Sequence, residues 1–178
     1  MDRNKQIIKD HIAVVPDFPK KGISFKDITP LFADPKIFEL TIKELCNMVK
    51  DQKFDCIAGI ESRGFWFALP MAQALNLPFV PIRKKGKLPR PTVQAEHSLE
   101  YGTDVLQVHK DDIHAGSNIL VVDDIVATGG TLIAVKEMMK KLNAKCEHAV
   151  VLGHLGELKG ALDKINEKGI KVHSLIEF

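Results

Sequence analysis

Cysteine is scarce in this chain of 178 residues, and its three copies, Cys46, Cys56 and Cys146, are odd in number, widely spaced and without a Cys-x-x-Cys pair. That pattern excludes a disulfide framework and a zinc knuckle, so the thiols are expected to be buried. An excess of either charge is also missing: 25 Lys and Arg against 23 Asp and Glu leave a formal net charge of +2. Nothing overall draws the chain to nucleic acid or to a membrane, and any anion selectivity has to come from local clustering. No apolar run approaches the roughly 20 residues that span a bilayer. The polar start, Met1-Asp2-Arg3-Asn4-Lys5-Gln6, has no apolar centre of the signal-peptide kind, which makes a cytoplasmic location the expectation. Several chemistries are absent as motifs. His109 and His114 miss the His-Glu-x-x-His register, there is no Gly-x-x-x-x-Gly-Lys-Ser/Thr or Gly-x-Gly-x-x-Gly loop, and neither Ser62 nor Ser98 sits in a nucleophile elbow.

What is present is a soluble globular composition, 45% hydrophobic and 27% charged, long enough for one domain spanning 1–178 with a sizeable core. Strand-like and helix-like runs alternate without repeats, the rhythm of an α/β fold with a mostly parallel sheet flanked by helices. Asp34-Pro35 caps and opens a helix carrying Phe38, Ile42, Leu45 and Val49 on one stripe. Cys56 to Ile60 is a strand, and Glu61-Ser62-Arg63-Gly64 turns into a helix over 65–75 that Pro70 should start or kink. Phe79-Val80-Pro81-Ile82 is a strand whose proline belongs near an edge or an end. Later strands are expected at 149–152 and 171–176, with a short helix near 158–165 between them. The run from Val14 to Pro35 is too irregular for one element. Residues 91–109 form two extended halves meeting at Leu99-Glu100-Tyr101-Gly102-Thr103, a hairpin-like lid.

The densest chemistry lies in Val121-Val122-Asp123-Asp124-Ile125-Val126-Ala127-Thr128-Gly129-Gly130-Thr131. An apolar strand over 118–122 delivers Asp123 and Asp124 to its carboxyl end, the edge where open α/β sheets bind ligands. Ala127, Gly129 and Gly130 let backbone N–H groups approach an anion, while Thr128 and Thr131 add hydroxyl donors. From Thr131 onward Leu132, Val135, Met138, Met139 and Leu142 recur at helical spacing, so the loop meets a helix N-terminus, which favours phosphate. Carboxylates only accept hydrogen bonds and suit hydroxyls instead. Together these residues point to a ribose 5-phosphate; the bland alternative is a solvated strand end followed by a glycine turn.

This segment resembles the phosphoribosyl pyrophosphate (PRPP) motif of the type I phosphoribosyltransferases, in the form found among members that use adenine. The resemblance extends, in the same order, to Gly22 through Pro30, Gly59 through Phe65, Ile82 through Pro89 and Ser98 through Gly102, and covers roughly residues 5 to 160. It implies that family's fold, with an N-terminal hood over about 1–35 and a lid over about 91–109, and conversion of adenine and PRPP to AMP and pyrophosphate. Asp123 and Asp124 would hold the ribose hydroxyls, and Ala127 through Thr131 the 5-phosphate. Glu61, Ser62, Arg63, Gly64, Arg83, Lys84 and Lys87 would hold the pyrophosphate. Ser24, Phe25, Lys26, Arg63 and Ile125 would line the adenine pocket.

On residue chemistry alone Phe25 is either a stacking platform or a loop anchor, Glu100 is a surface acid, and the basic run at 83–90 is a solvated face or a nucleic-acid patch. The resemblance instead gives Glu100 and Tyr101 a catalytic place in the lid, with Glu100 handling a proton at the purine. It also sends the loop bearing Arg83, Lys84 and Lys87 to a neighbouring subunit, which implies a homodimer. Magnesium is expected to arrive on the PRPP with no direct protein ligands. Lys26 stands where arginine is frequent in the family and Glu61 where aspartate is, while His154 and Ala161 replace common glutamate and arginine. Rival readings are a transferase for hypoxanthine, guanine, xanthine or orotate, and a non-catalytic PRPP sensor.

Overall fold

Alternation along the central strand decides the layers. In the computed structural model, which describes residues 2–98, 103–156 and 160–178, Ile119 and Val121 are buried on one side of the sheet and Leu120 and Val122 on the other. A strand apolar on both faces needs cover on both, and the chain supplies it with two separate apolar clusters.

In chain order the elements are α1 (Arg3–Asp10), β1 (Ala13–Pro16), β2 (Ser24–Asp27), α2 (Pro30–Ala33), α3 (Pro35–Asn47), β3 (Cys56–Ile60), α4 (Gly64–Leu75) and β4 (Phe79–Lys84). They continue with β5 (Thr92–Ser98), β6 (Thr103–His109), β7 (Asn118–Val126), α5 (Gly130–Lys141), β8 (Lys145–His154), α6 (Ala161–Glu167) and β9 (Lys171–Glu177). The main sheet has seven strands in the order β5-β6-β4-β3-β7-β8-β9, parallel from β4 to β9 and antiparallel where β6 meets β4 and β5. Helices α1, α3 and α4 cover one face, with Ile8, Leu45, Phe67 and Met71 fully buried there. Helices α5 and α6 cover the other, with α5 packed also on β5 and β6, around Val135, Met138, Ile165 and Val108. This is the α/β arrangement expected from the sequence.

Local chemistry explains most boundaries. Asp34 caps α3 by accepting from the N–H groups of Lys36 and Ile37, with Pro35 at the first helical position. Pro81 is tolerated because the carbonyls of Pro78 and Ile82 face β3, so the intervening Pro81 turns its missing N–H to the other side. On that side β6 pairs only with Arg83 and Lys84. Pro70 neither starts nor ends α4, which runs through it as one helix. The carbonyl left without its bond belongs to Trp66, which is 41% exposed and can use water.

Some elements differ from expectation. Strand β7 extends through both acids to Val126, α5 begins one residue early at Gly130, and β8 and β9 are longer than 149–152 and 171–176. Helix α6 covers Ala161–Glu167; the expected start near 158 lies outside the described residues. The N-terminal helix α1 was not anticipated, because only one of its residues, Ile8, is buried. It docks on the body, where Asn4 Nδ2 donates to Glu44 Oε1 at 2.8 Å and Lys9 Nζ to the Glu177 carbonyl at 2.7 Å. The irregular stretch after Val14 resolves into the β1–β2 hairpin and the single turn of α2. All three cysteines are free, Cys56 and Cys146 buried and Cys46 half-buried, and burial pushes the Cys56 thiol up to about 11 and Cys146 to about 12.

Candidate active site

Two adjoining cavities open at the carboxyl edge of the parallel strands, and Asp123 and Thr131 border both. One, of about 230 Å³, is walled by Glu61, Ser62, Arg63, Lys84 and Asp124, with Asp104 and Leu106 from β6. The other, of about 440 Å³, is walled by Ile125 through Gly129, Leu132, Leu155 and Ile23. Residues from the main motif therefore form the partition between a charged compartment and a more apolar one.

The cradle in the second compartment is set by backbone geometry. Gly129 is the N-cap of α5 with φ +83°, and no side chain caps the helix. The first-turn N–H groups are thus left for an anion, where a capping Ser or Asp would have used one. A Cβ at Gly129 would also meet Ile165 Cδ1 at 2.6 Å, so glycine is required there by φ and by the contact with α6. Ala127 and Thr128 are exposed at the cavity mouth.

The two acids are not equivalent. Asp124 is 5% exposed, and its Oδ2 lies 2.6 Å from Arg63 Nε in a charge pair. Asp123 is half-buried and borders both cavities, and its Oδ1 accepts from the Asp124 N–H at 2.9 Å. Burial first, and the Asp124 charge second, push the Asp123 carboxyl well above the usual carboxylate range, against an opposing pull from Arg63. Gly64 is buried at the start of α4, where a Cβ would meet the Val122 carbonyl oxygen at 2.9 Å and Asp123 Oδ1 at 3.0 Å. Its evident task is to let α4 approach β7.

The other end of the charged compartment is held by side chains. Glu61 takes Arg83 in a fork, from Nε at 3.3 Å and Nη2 at 3.1 Å, and accepts from the Lys84 N–H at 2.9 Å. Burial by itself would raise the Glu61 carboxyl, but the hydrogen bonds from Arg83 and Lys84 and the charges of Arg83 and Lys87 outweigh it and hold it below its ordinary value. Arg83 Nη1 donates further to the Lys87 carbonyl. Lys84 Nζ is 3.0 Å from Asp104 Oδ2. Of the basic loop, Lys84 lines this chain's own cavity, Arg83 is committed to Glu61, and Lys87 is exposed. Arg90 lies apart, forked onto Asp112 beside His109 at the open end of the lid hairpin.

Among the expected base-binding residues, Phe25 and Arg63 come together, with the guanidinium carbon 5.3 Å from the ring centroid. Ile23 and Ile125 line the apolar compartment. Ser24 and Lys26 share the opposite face of β2: Lys26 Nζ donates to Ser24 Oγ at 3.1 Å and sits over the Phe178 ring. Glu100 and Tyr101 lie outside the described residues. Sequence reasoning missed Ile23, Leu155 and Asp104. The two-residue spacing from Phe25 could have found Ile23; nothing local marks Leu155 or Asp104, which reach the site from just after β8 and from β6.

An open, mostly parallel sheet with an acid pair beside a glycine-built helix N-terminus at its carboxyl edge is an arrangement that can hold a phosphorylated, hydroxyl-bearing ligand. Residues 32–175 match the family described as the phosphoribosyl transferase domain, and the chain belongs to that family. An adenine phosphoribosyltransferase of Aliivibrio fischeri is 45% identical over 172 residues, covering 97% of this chain and 94% of its own. One from Clostridium botulinum strain Hall is 44% identical over 171 residues, covering 96% and 98%. The solved adenine phosphoribosyltransferase of Thermoanaerobacter pseudethanolicus superimposes with a TM-score of 0.91 at 43% identity, covering 98% and 99% of the two chains. That of Saccharomyces cerevisiae, complexed with adenine and an imino-altritol bisphosphate, gives 0.89 at 36% identity, covering 99% and 100%.

Proposed function

We propose that this chain transfers the 5-phosphoribosyl group of PRPP to adenine, releasing AMP and pyrophosphate, a purine-salvage reaction. The observation that carries this reading is the partition itself: an acid pair with an anion cradle on one side and a cationic compartment on the other, the layout that a sugar carrying phosphate at one end and pyrophosphate at the other requires. The 5-phosphate sits on residues 127–131, the ribose hydroxyls on Asp123 and Asp124, and the pyrophosphate among Glu61, Ser62, Arg63, Gly64 and Lys84, with Arg83 and Lys87 behind.

As the C1–O bond to pyrophosphate loosens, positive charge builds on the ribose, as in other oxocarbenium-like transfers. Asp124 lies at the sugar, and Arg63 faces the departing oxygens, so the charge separation is met by groups fixed beforehand. Phe25 offers its ring to the purine, with Ile125 across the pocket, while Ser24 and Lys26 contribute through their backbone. Glu100 takes the proton traffic at the purine and Tyr101 helps the hairpin close against water. The donor set fits magnesium carried by the substrate: Asp123, at the partition between the two cavities, suits the water shell of a hard cation. Bound on the pyrophosphate, the ion would neutralise charge on the leaving group.

The enzyme works as a cytoplasmic homodimer in which exposed Lys87 extends the cationic wall across the subunit boundary. Light scattering of the purified protein checks the dimer. The central test offers the protein magnesium and PRPP with adenine, hypoxanthine, guanine, xanthine or orotate in turn, scoring nucleotide and pyrophosphate. Turnover of adenine above all others is expected; turnover of another base without adenine overturns the substrate assignment, and PRPP binding without any turnover makes the chain a sensor.

A further inference from the structure

The acid Asp104 borders the cationic compartment, where a carboxylate works against a polyanion. It lies at a seam. Lys84 pairs with Leu106 at the end of β4, the Lys85 N–H donates to the Val105 carbonyl at 2.9 Å, and the Gly86 N–H donates to Gln107 Oε1 at 2.9 Å. The basic loop is therefore stitched to the lid strand by backbone and amide bonds, and only Lys84 reaches from it into the cavity, with Nζ 3.0 Å from Asp104 Oδ2. Asp104 Oδ1 is occupied by the Val105 N–H at 2.9 Å, which fixes the carboxylate with its other oxygen toward Lys84.

Three competing acids make that orientation matter. Glu61, Asp123 and Asp124 share the same cavity, and a lysine on a flexible stem would settle on whichever is nearest when no ligand is bound. Glu61 is already taken by Arg83 and Asp124 by Arg63. We infer that Asp104 is a built-in competitor that tempers the pyrophosphate end of the site: it holds Lys84 at the cavity wall beside β6 and must give it up to incoming pyrophosphate. This inference rests on the transferase reading above.

The test is a two-by-two set of Asp104→Asn and Lys84→Met, with KM for PRPP and product inhibition by inorganic pyrophosphate as readouts. Removing a half-exposed competitor for Lys84 should tighten both by about two- to fivefold, the scale of exposed ion pairs, while KM for adenine stays fixed. In the Lys84→Met background the same Asp104→Asn change should do nothing. If the tightening persists there, Asp104 acts by bulk repulsion and the inference fails; it fails equally if both readouts weaken or are unmoved. A thermal melt of each variant separates weakening through lost folding from weakening at the site. Failure of the transferase reading looks different, since wild-type protein would then turn over no base with PRPP.

Discussion

The two ends of the site are built by different means. The cradle that we assign to the phosphate, 127–131, runs from the end of β7 through a loop into the N-terminus of α5, and what it offers a ligand is backbone amides. The wall that we assign to the pyrophosphate is assembled from a turn after β3, a loop after β4 and strand β6, and charge pairs hold its parts: Arg63 with Asp124, Arg83 with Glu61, Lys84 with Asp104. A backbone cradle is rigid and cannot lose its donors, so it suits the phosphate that stays on the sugar throughout. A wall of paired side chains can exchange partners, which suits a group that must arrive, separate and leave.

The largest expected effect comes at the junction of the two. Asp124→Asn removes the charged acceptor for a ribose hydroxyl and strands Arg63; kcat/KM for PRPP should fall by an amount equivalent to about 1.5–3 kcal/mol. Steady-state kinetics near the wild-type value would take Asp124 out of the sugar site. Breaking the cradle is next. Gly129→Ala puts a side chain at φ +83° and against Ile165, and should cost about 1–3 kcal/mol of stability together with weaker AMP binding, measured by chemical denaturation and calorimetry. A variant as stable as wild type with unchanged AMP affinity would show that the loop is not the rigid half of the pair.

The wall should be softer. Glu61→Gln loosens the Arg83 fork and should raise KM for PRPP and for pyrophosphate by about 1 kcal/mol, with kcat and AMP affinity little altered. Equal losses for AMP and pyrophosphate would erase the contrast between the ends. Acid pH sharpens it further. The Asp123 carboxyl titrates above its ordinary value, so on lowering pH it takes up a proton while exposed carboxylates are still ionised, and kcat/KM for PRPP should fall off earlier than an unshifted acid allows. The same shift means that ionised Asp123 burdens the fold. Asp123→Asn should accordingly melt at or above the wild-type temperature near neutral pH while losing the acid limb; an unmoved limb would assign it to another group. The smallest effect is that of salt, which should weaken pyrophosphate binding more than AMP binding, since charge pairs are screened and a helix terminus less so.

Helix α3 with its Asp34-Pro35 start, strand β3 and the acid-to-glycine motif were legible because each is a contiguous pattern. The acids are expected at the carboxyl end of the strand, and β7 instead runs through them, since pairing with β8 carries the ladder to Val126 and His154. Helix α1 escaped notice because its one buried residue, Ile8, finds its neighbours on α3 and β9, far along the chain.

What the sequence determined by itself is the α/β rhythm from α3 onward, the strand-to-helix turn after the two acids and the family, because turn chemistry, helix caps and apolar period act over a few residues. What only the tertiary structure decided is which charges meet. Arg63 with Asp124, Arg83 with Glu61 and Lys84 with Asp104 are joined across 61, 22 and 20 residues of chain. No local spacing encodes such partners; they are chosen by the sheet order that sets β3, β4, β6 and β7 side by side.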